Sequence, residues 1–245
     1  MEKAQCWIDT EELLDNGIDR IILFGPAGTG KTYAGLNFKP VEQPSYRLIC
    51  TDDMTTADIS GLWIPSENGF DYQEGVAITA WREGARLVID EINRASGDIL
   101  SLLLAITDTN ISSSWRNPKT GEIVTPQKGF SVVMTMNGEP EDLDEALVDR
   151  FPCRIRVNRP HPTALATLPM IFRQPAYELA DGERNERVSL RTFMAISQLM
   201  SYNDQTHSFN NYGLKLERAV KLVIPHLAEG IIDAIEVSQL ERGSV

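Results

Sequence analysis

One octapeptide narrows the choice of folds more than any other part of this chain: Gly-Pro-Ala-Gly-Thr-Gly-Lys-Thr, residues 25–32. It fits the pattern G-x-x-x-x-G-K-[ST], and its neighbours matter as much as its letters. An apolar run at 21–24 precedes it; a helical pattern at 31–38 follows it and stops before Pro40. Strand, glycine-rich loop and helix in that order make a phosphate cradle. Glycines let backbone N–H groups close around phosphate oxygens, and the helix N-terminus adds partial positive charge. The pattern predicts a nucleoside triphosphate held by Gly25, Pro26, Ala27, Gly28, Thr29, Gly30, Lys31 and Thr32, with Tyr33 next on the helix. Lys31 would reach the β- and γ-phosphates, and the Thr32 hydroxyl would bind Mg2+.

Five short runs read as strands: 21–24, 46–51, 87–90, 131–136 and 154–157. Each is apolar enough to be buried on both faces, as parallel strands are. Helical patterns at 31–38, 76–84, 97–108 and 142–151 lie between them. Alternating strands and helices predict an α/β sheet. In such a sheet ligands bind at the carboxyl ends of the strands, and three further groups fall at strand ends or nearby. Leu87-Val-Ile-Asp90-Glu91 closes an apolar strand with two carboxylates. Successive strand residues face opposite ways, so Asp90 would hold Mg2+ through water while Glu91 polarises the water that attacks the γ-phosphate. A base for water argues for hydrolysis, since a small-molecule kinase must exclude water. Asn137, after the fourth strand, would orient that water or sense the γ-phosphate; a plain Asn-Gly turn is the bland alternative. Arg150 ends the 142–151 helix, and a planar, always charged guanidinium suits a phosphate in transition. A capping role, or an ion pair with Asp149 or Glu145, would explain it as well. Arg154 and Arg156 compete for the same part.

Two segments interrupt the alternation. Residues 62–72 form two aromatic-rich arms around Asn68-Gly69, and residues 111–125 form two arms around Asn-Pro-Lys-Thr-Gly. Both read as hairpins or as surface loops. After 157 the composition shifts: the proline-rich stretch 158–169 reads as a linker, and from about Thr163 onward only helical periods appear, notably at 190–200 and at 214–240 with a break at Pro225. The expected division is an α/β domain at 1–159 with two hairpin inserts and a helical domain at 160–245.

Charge and cysteine usage narrow the function classes. With 23 Lys plus Arg against 35 Asp plus Glu, the net charge is −12. That disfavours sequence-independent nucleic-acid binding, which relies on a basic surface releasing counterions. Cys6, Cys50 and Cys153 form no C-x-x-C pair, and three histidines suggest no zinc site. The charged start of the chain lacks the apolar core of a secretory signal. No long apolar run predicts a spanning helix. The expectation is a cytoplasmic protein without membrane contact, in which the sequon at Asn110 is irrelevant.

GPAGTGKT, LVIDEINRA, VVMTMNG and LDEALVDRF occur here in the order and approximate spacing of the AAA+ ATPases. More narrowly, DEINRA and the AD-I-S-G-LW…G-V-A-I-T-A-W-R-E-G segment before it resemble the MoxR and dynein-related branch, with its CbbQ-like and NorQ-like members. The resemblance covers about residues 21–157 and is loose over the helical tail. It implies a P-loop NTPase with a five-stranded parallel sheet flanked by helices, a small C-terminal all-helical lid, ATP with Mg2+ at a subunit junction, and a hexameric ring that remodels a partner protein. Lys31 and Thr32 would be Walker A, Asp90 and Glu91 Walker B, Asn137 sensor 1, and Arg150 an arginine finger. Arg191 falls at sensor 2, although Leu190 precedes it where the family favours Pro or Thr; Arg187 and Arg184 are alternatives. The hairpins fall where this branch carries inserts toward the ring's pore, which makes Leu62, Trp63, Phe70 and Trp115 candidate partner contacts. With little sequence beyond the lid, recruitment is expected through a partner, the hairpins or the ring's faces.

Three functions remain in play: an ATP-hydrolysing ring acting on a protein client or adaptor; a nucleotide-gated scaffold in which slow hydrolysis times release; and the ATPase module of a DNA-acting complex. The acidic charge suits a protein partner better than DNA.

Overall fold

A computed structural model of the chain describes residues 2–39, 42–67, 69–109, 112–182, 186–203, 208–209 and 213–243. Asn68 of the first hairpin turn, Asn110 and Ile111 of the sequon and second hairpin, Pro40, Arg184 and His207 lie outside the described residues. The chain divides into two compact units: a sheet unit of residues 9–25 and 31–156, and a helical unit of residues 1–8, 26–30 and 157–245.

In the sheet unit, α1 (Gln5–Asp15, its first residues counted with the helical unit) leads to β1 (Arg20–Phe24). There follow α2 (Lys31–Asn37), β2 (Ser45–Ile49), α3 (Thr56–Ser60), β3 (Gly61–Ser66), β4 (Gly69–Glu74), α4 (Val76–Glu83), β5 (Arg86–Asp90) and α5 (Gly97–Ile106). The unit closes with β6 (Trp115–Arg116), β7 (Ile123–Val124), β8 (Ser131–Thr135), α6 (Glu145–Asp149) and β9 (Cys153–Arg156). Five strands form one sheet in the order β2-β5-β8-β1-β9, and every described pairing in it is parallel. The expected α/β sheet is what forms, with each strand within two residues of its predicted bounds.

Burial on both faces holds for the three inner strands only. Along β5 and β8 every residue is buried, and along β1 all but Phe24 are. The edge strands depart from expectation: β2 and β9 alternate, with Arg47 and Ile49 exposed on the first and Arg154 and Arg156 on the second. An edge strand has one partner, so its side chains need not all be covered. Around the inner strands pack Ile78 and Trp81 of α4 and Ile99, Leu103 and Ile106 of α5. Leu103 is fully buried, and Leu103→Ala should lower stability by about 2–5 kcal/mol through lost burial and a residual cavity. A lower denaturation midpoint at unchanged slope is the expected reading.

Both hairpins form. β3 and β4 pair antiparallel from Gly61 with Glu74 to Ser66 with Gly69, so Gly69 belongs to β4 rather than to the turn. The second is shorter than expected: among the described residues only Trp115 with Val124 and Arg116 with Ile123 pair. The two are tied together. Tyr72 and Trp115 stack with centroids 5.7 Å apart. Asn117 Nδ2 donates to Glu74 Oε1 at 3.0 Å, and Lys119 pairs with Asp71. Arg82, in the last turn of α4, binds Glu74 at 2.7 Å and Glu122 at 2.9 Å. Leu62, Trp63, Phe70 and Ile123 remain exposed.

The 142–151 helix is shorter than its pattern. Pro140–Asp142 is one 3-10 turn, and α6 starts only after Asp144, whose Oδ1 accepts from Ala146 N–H at 2.9 Å. A short carboxylate at that spot caps better than it continues a helix.

The helical unit holds α7 (Pro162–Ala166), α8 (Met170–Glu178), α9 (Leu190–Leu199), a hairpin of β10 (Tyr202–Asn203) and β11 (Ser208–Phe209), α10 (Leu216–Val223) and α11 (Ala228–Gly243). Two features correct the sequence reading. The 158–169 stretch is no mere linker: Pro162 sits in the first helical turn, where its missing N–H costs nothing, and Leu165 and Leu168 enter the core. Small β10 and β11 interrupt the helices. Phe172, Phe193, Ile196, Val220, Ile231 and Ile235 complete that core. Among the described residues no helix is long and apolar enough to cross a membrane.

Candidate active site

In the sheet unit the register brings strand ends level. Leu23 of β1 lies beside Thr135 of β8, and Ile49 of β2 beside Asp90 of β5. The groups following these ends therefore converge. Lys31, the first residue of α2 and buried, donates from Nζ to the Gly25 carbonyl at 3.0 Å and to Asn137 Oδ1 at 3.1 Å. Asn137 Nδ2 donates to Glu91 Oε1 at 2.8 Å. The amide can sit only this way round: its oxygen meets an ammonium and its NH2 a carboxylate, and reversal would oppose like partners.

Asp90 and Glu91 are separated by a backbone turn, not by strand alternation. β5 ends at Asp90, and Glu91 is left-handed, with φ 59° and ψ 41°. For a residue with a Cβ this conformation costs on the order of 1–3 kcal/mol, and it tends to occur where surroundings fix a functional group. It turns Glu91 out of the strand and onto Asn137.

Asp90 is nearly covered; 5% of its side chain is exposed. Oδ1 accepts from the Thr32 hydroxyl at 2.9 Å and from the Thr135 hydroxyl. Oδ2 accepts from Arg47 Nε at 3.0 Å and also from Arg47 Nη2. Burial alone would raise the carboxyl's pKa, but the hydrogen bonds from Thr135, Arg47 and Thr32, with the charge of Arg47, hold it below the ordinary value. Beside it lies Cys50, a free thiol that burial, with the Asp90 charge added, pushes up to about 12. It stays protonated and inert.

Within the helical unit, residues 26–30 are held from two sides. Thr29 Oγ1 donates to the Pro26 carbonyl at 3.1 Å. Gly28 has φ +77°, and a Cβ there would come within 2.9 Å of Ser189 Cβ, so the loop needs a glycine both for its turn and for its approach to α9. The ring of Trp7 lies 3.8 Å from where a Cβ of Gly30 would be, and its Nε1 donates to the Arg159 carbonyl at 2.7 Å. Arg191 is exposed in the first turn of α9, two residues after Ser189. Arg187 is half-buried, and its Nε has no hydrogen-bond partner among the described residues.

Lys31, Thr32, Asp90, Glu91 and Asn137 thus come together. Arg150 does not join them. Its Nη1 donates to the Ala146 carbonyl at 2.5 Å, its Nη2 lies 3.8 Å from Asp108, and its buried Nε has no partner among the described residues. The ion pair is therefore with Asp108 rather than Asp149 or Glu145. Arg156 lies 3.8 Å from Glu139. Tyr33 is 54% exposed and meets Phe38 edge-on. Sequence reasoning missed Thr135 and Arg47. A charged residue in the middle of the run 46–51 was the available signal for Arg47, because an all-buried strand has no place for an unpaired guanidinium.

A parallel sheet with a phosphate loop after its first strand and paired carboxylates after another is the architecture of an ATPase domain. The AAA domain of the dynein-related subfamily matches residues 20–151, more than half of the 245-residue chain, and the chain belongs to this family. Membership implies nucleotide binding. Uncharacterized proteins of Staphylococcus aureus strains USA300 and NCTC 8325 are 34% identical over 140 residues, covering 54% of this chain and 52% of theirs. The chain spans about half the length of the curated relatives it matches. The crystal structure of NtrX from Brucella abortus superposes with a TM-score of 0.52 at 13% identity, over 99% of this chain and 52% of that one, a likeness of fold alone.

Proposed function

We propose that the chain is an ATP hydrolase that works as an oligomeric ring, a hexamer by the resemblance to the MoxR branch, and remodels or activates a partner protein. The observation that carries this reading is the relay from Lys31 through Asn137 to Glu91, beside Asp90 bonded to Thr32. The hydroxyl and carboxylate oxygens of Thr32 and Asp90, 2.9 Å apart, are the hard donor set that suits Mg2+. They would hold it, and it would neutralise phosphate charge. Lys31 would exchange its Gly25 and Asn137 partners for phosphate oxygens. Glu91, oriented by the Asn137 amide, would take a proton from the attacking water at its carboxylate. Gly28 packed against Ser189 supports a phosphate contact from the start of α9, with Arg191 the candidate and Arg187 the alternative. Residues 1–159 and 160–245 would then be the nucleotide domain and its lid.

Arg150 has no partner at the Lys31–Glu91 cluster, which supports a role in a neighbouring subunit's site. The exposed Leu62, Trp63 and Phe70, all on the first hairpin, which Arg82 braces through Glu74, support a client or adaptor contact. Mass measurement of the particle with ATP, alongside its turnover, tests the ring. A nucleotide-dependent oligomer whose activity rises with protein concentration is expected; a monomer with full activity overturns it.

A further inference from the structure

Arg47 lies outside every motif that marks this site, yet it is the sole described cation bonded to Asp90. The carboxylate accepts from four donors, two hydroxyls on Oδ1 and two guanidinium nitrogens on Oδ2. That fills its lone-pair directions. To hold a metal or a metal-bound water, Asp90 must release one of them. Thr135 is 2% exposed on an inner strand, and Thr32 belongs to the helix that opens at Lys31. Arg47 is the partner that can leave. It stands on the edge strand β2 with 43% of its side chain exposed. It also lines an open cleft of about 450 Å3 with Ile49, Thr51, Met54 and Val76.

We propose that Arg47 is a placeholder cation: its guanidinium neutralises Asp90 whenever no metal does, and it swings into the adjoining cleft as Mg2+ and nucleotide load. The inference rests on the assignment of Asp90 to the metal. Seen from incoming phosphates, the Arg47–Asp90 pair is neutral, so the metal-free nucleotide meets no repulsion from Asp90. Mg2+ in turn must displace a cation already there. Arg47 therefore weakens the linkage between metal and nucleotide. Removing its charge bares the carboxylate, which repels metal-free nucleotide and attracts Mg2+. The coupling is reciprocal, as linkage requires.

The test is the affinity for fluorescent ADP with Mg2+ and with EDTA, in the full chain and in Arg47→Gln, Arg47→Lys and Asp90→Asn. The ratio of the EDTA to the Mg2+ dissociation constant should rise on the order of tenfold in Arg47→Gln. Arg47→Lys keeps the charge and should stay near the parent ratio, which also covers the case in which Gln fails to fold. A ratio unchanged or lowered in Arg47→Gln, or a Lys variant that behaves like Gln, overturns the proposal; the lowered ratio would mean that Arg47 itself binds the metal-loaded phosphates. If the ratio falls in Asp90→Asn and stays fixed in Arg47→Gln, the metal assignment stands and this inference alone is lost. If neither the parent nor Asp90→Asn responds to Mg2+, both are lost.

Discussion

Glu91→Gln will bind ATP about as tightly as the parent chain and turn it over about 10²–10⁴-fold more slowly, the range for losing a general base. Gln keeps the size of the side chain, and its amide oxygen can still accept from Asn137 Nδ2. The left-handed backbone at 91 stays as strained, and as fixed, as before. What disappears is the proton acceptor. The measurement is phosphate release beside equilibrium nucleotide binding. Lost binding would mean that Glu91 holds the site together rather than acting on water, and undiminished turnover would remove it from the chemistry altogether. Asn137→Ala gives a milder outcome: the carboxylate remains but is no longer aimed, so turnover should fall less than in Glu91→Gln.

What the residue order revealed and what it concealed separate on physical grounds. The three inner strands were legible because burial on both faces demands unbroken apolar runs, and Ile21–Leu23, Leu87–Ile89 and Val132–Met134 supply them. The phosphate loop was legible because the fixed glycines of its pattern, Gly25 and Gly30, both sit at positive φ, 117° and 106°, where a side chain is disfavoured. Arg47 was concealed because its meaning lies in a partner 43 residues away, at a register set only when β2 aligns with β5. The start of α7, one residue before the helical periods expected from 163, was obscured for the opposite reason. Pro160 and Pro162 advertise a linker, yet His161 Nδ1 accepts from Thr163 N–H at 3.1 Å, and a proline in the first turn is a good helix start. β10 and β11 are two residues each, too short to leave a period.

The hairpins join these levels. Arg82 grips Glu74 of one and Glu122 near the other, and its own helix, α4, runs through Gly84 into β5, which ends at Asp90. Exposed ion pairs are individually weak, about 0.2–1 kcal/mol. The stack of Tyr72 on Trp115 and the Asn117 bond to Glu74 make the brace more than a single pair. Displacement of either hairpin would therefore be felt by α4, one turn and one strand away from the carboxylates.

Arg150→Ala should leave nucleotide binding intact and cost about 10³–10⁵ in turnover, the range for an arginine supplied to phosphoryl transfer from a neighbour. Its contacts within this chain argue for that split. It stabilises little here, with one carbonyl bond to its own helix, a 3.8 Å approach to Asp108 and a buried Nε without a partner among the described residues. Lys31→Ala should lose both binding and turnover, since it removes the cation held between the Gly25 carbonyl and Asn137. Neither variant alone will hydrolyse ATP. Mixed, they should recover part of the activity, because a Lys31→Ala subunit still carries an intact Arg150 and can complete the site of an Arg150→Ala neighbour whose Lys31 is present. A role within one chain predicts no recovery, since no subunit would then hold both residues. Mixed oligomers confirmed by mass that remain silent would move Arg150 from catalysis to the capping of α6.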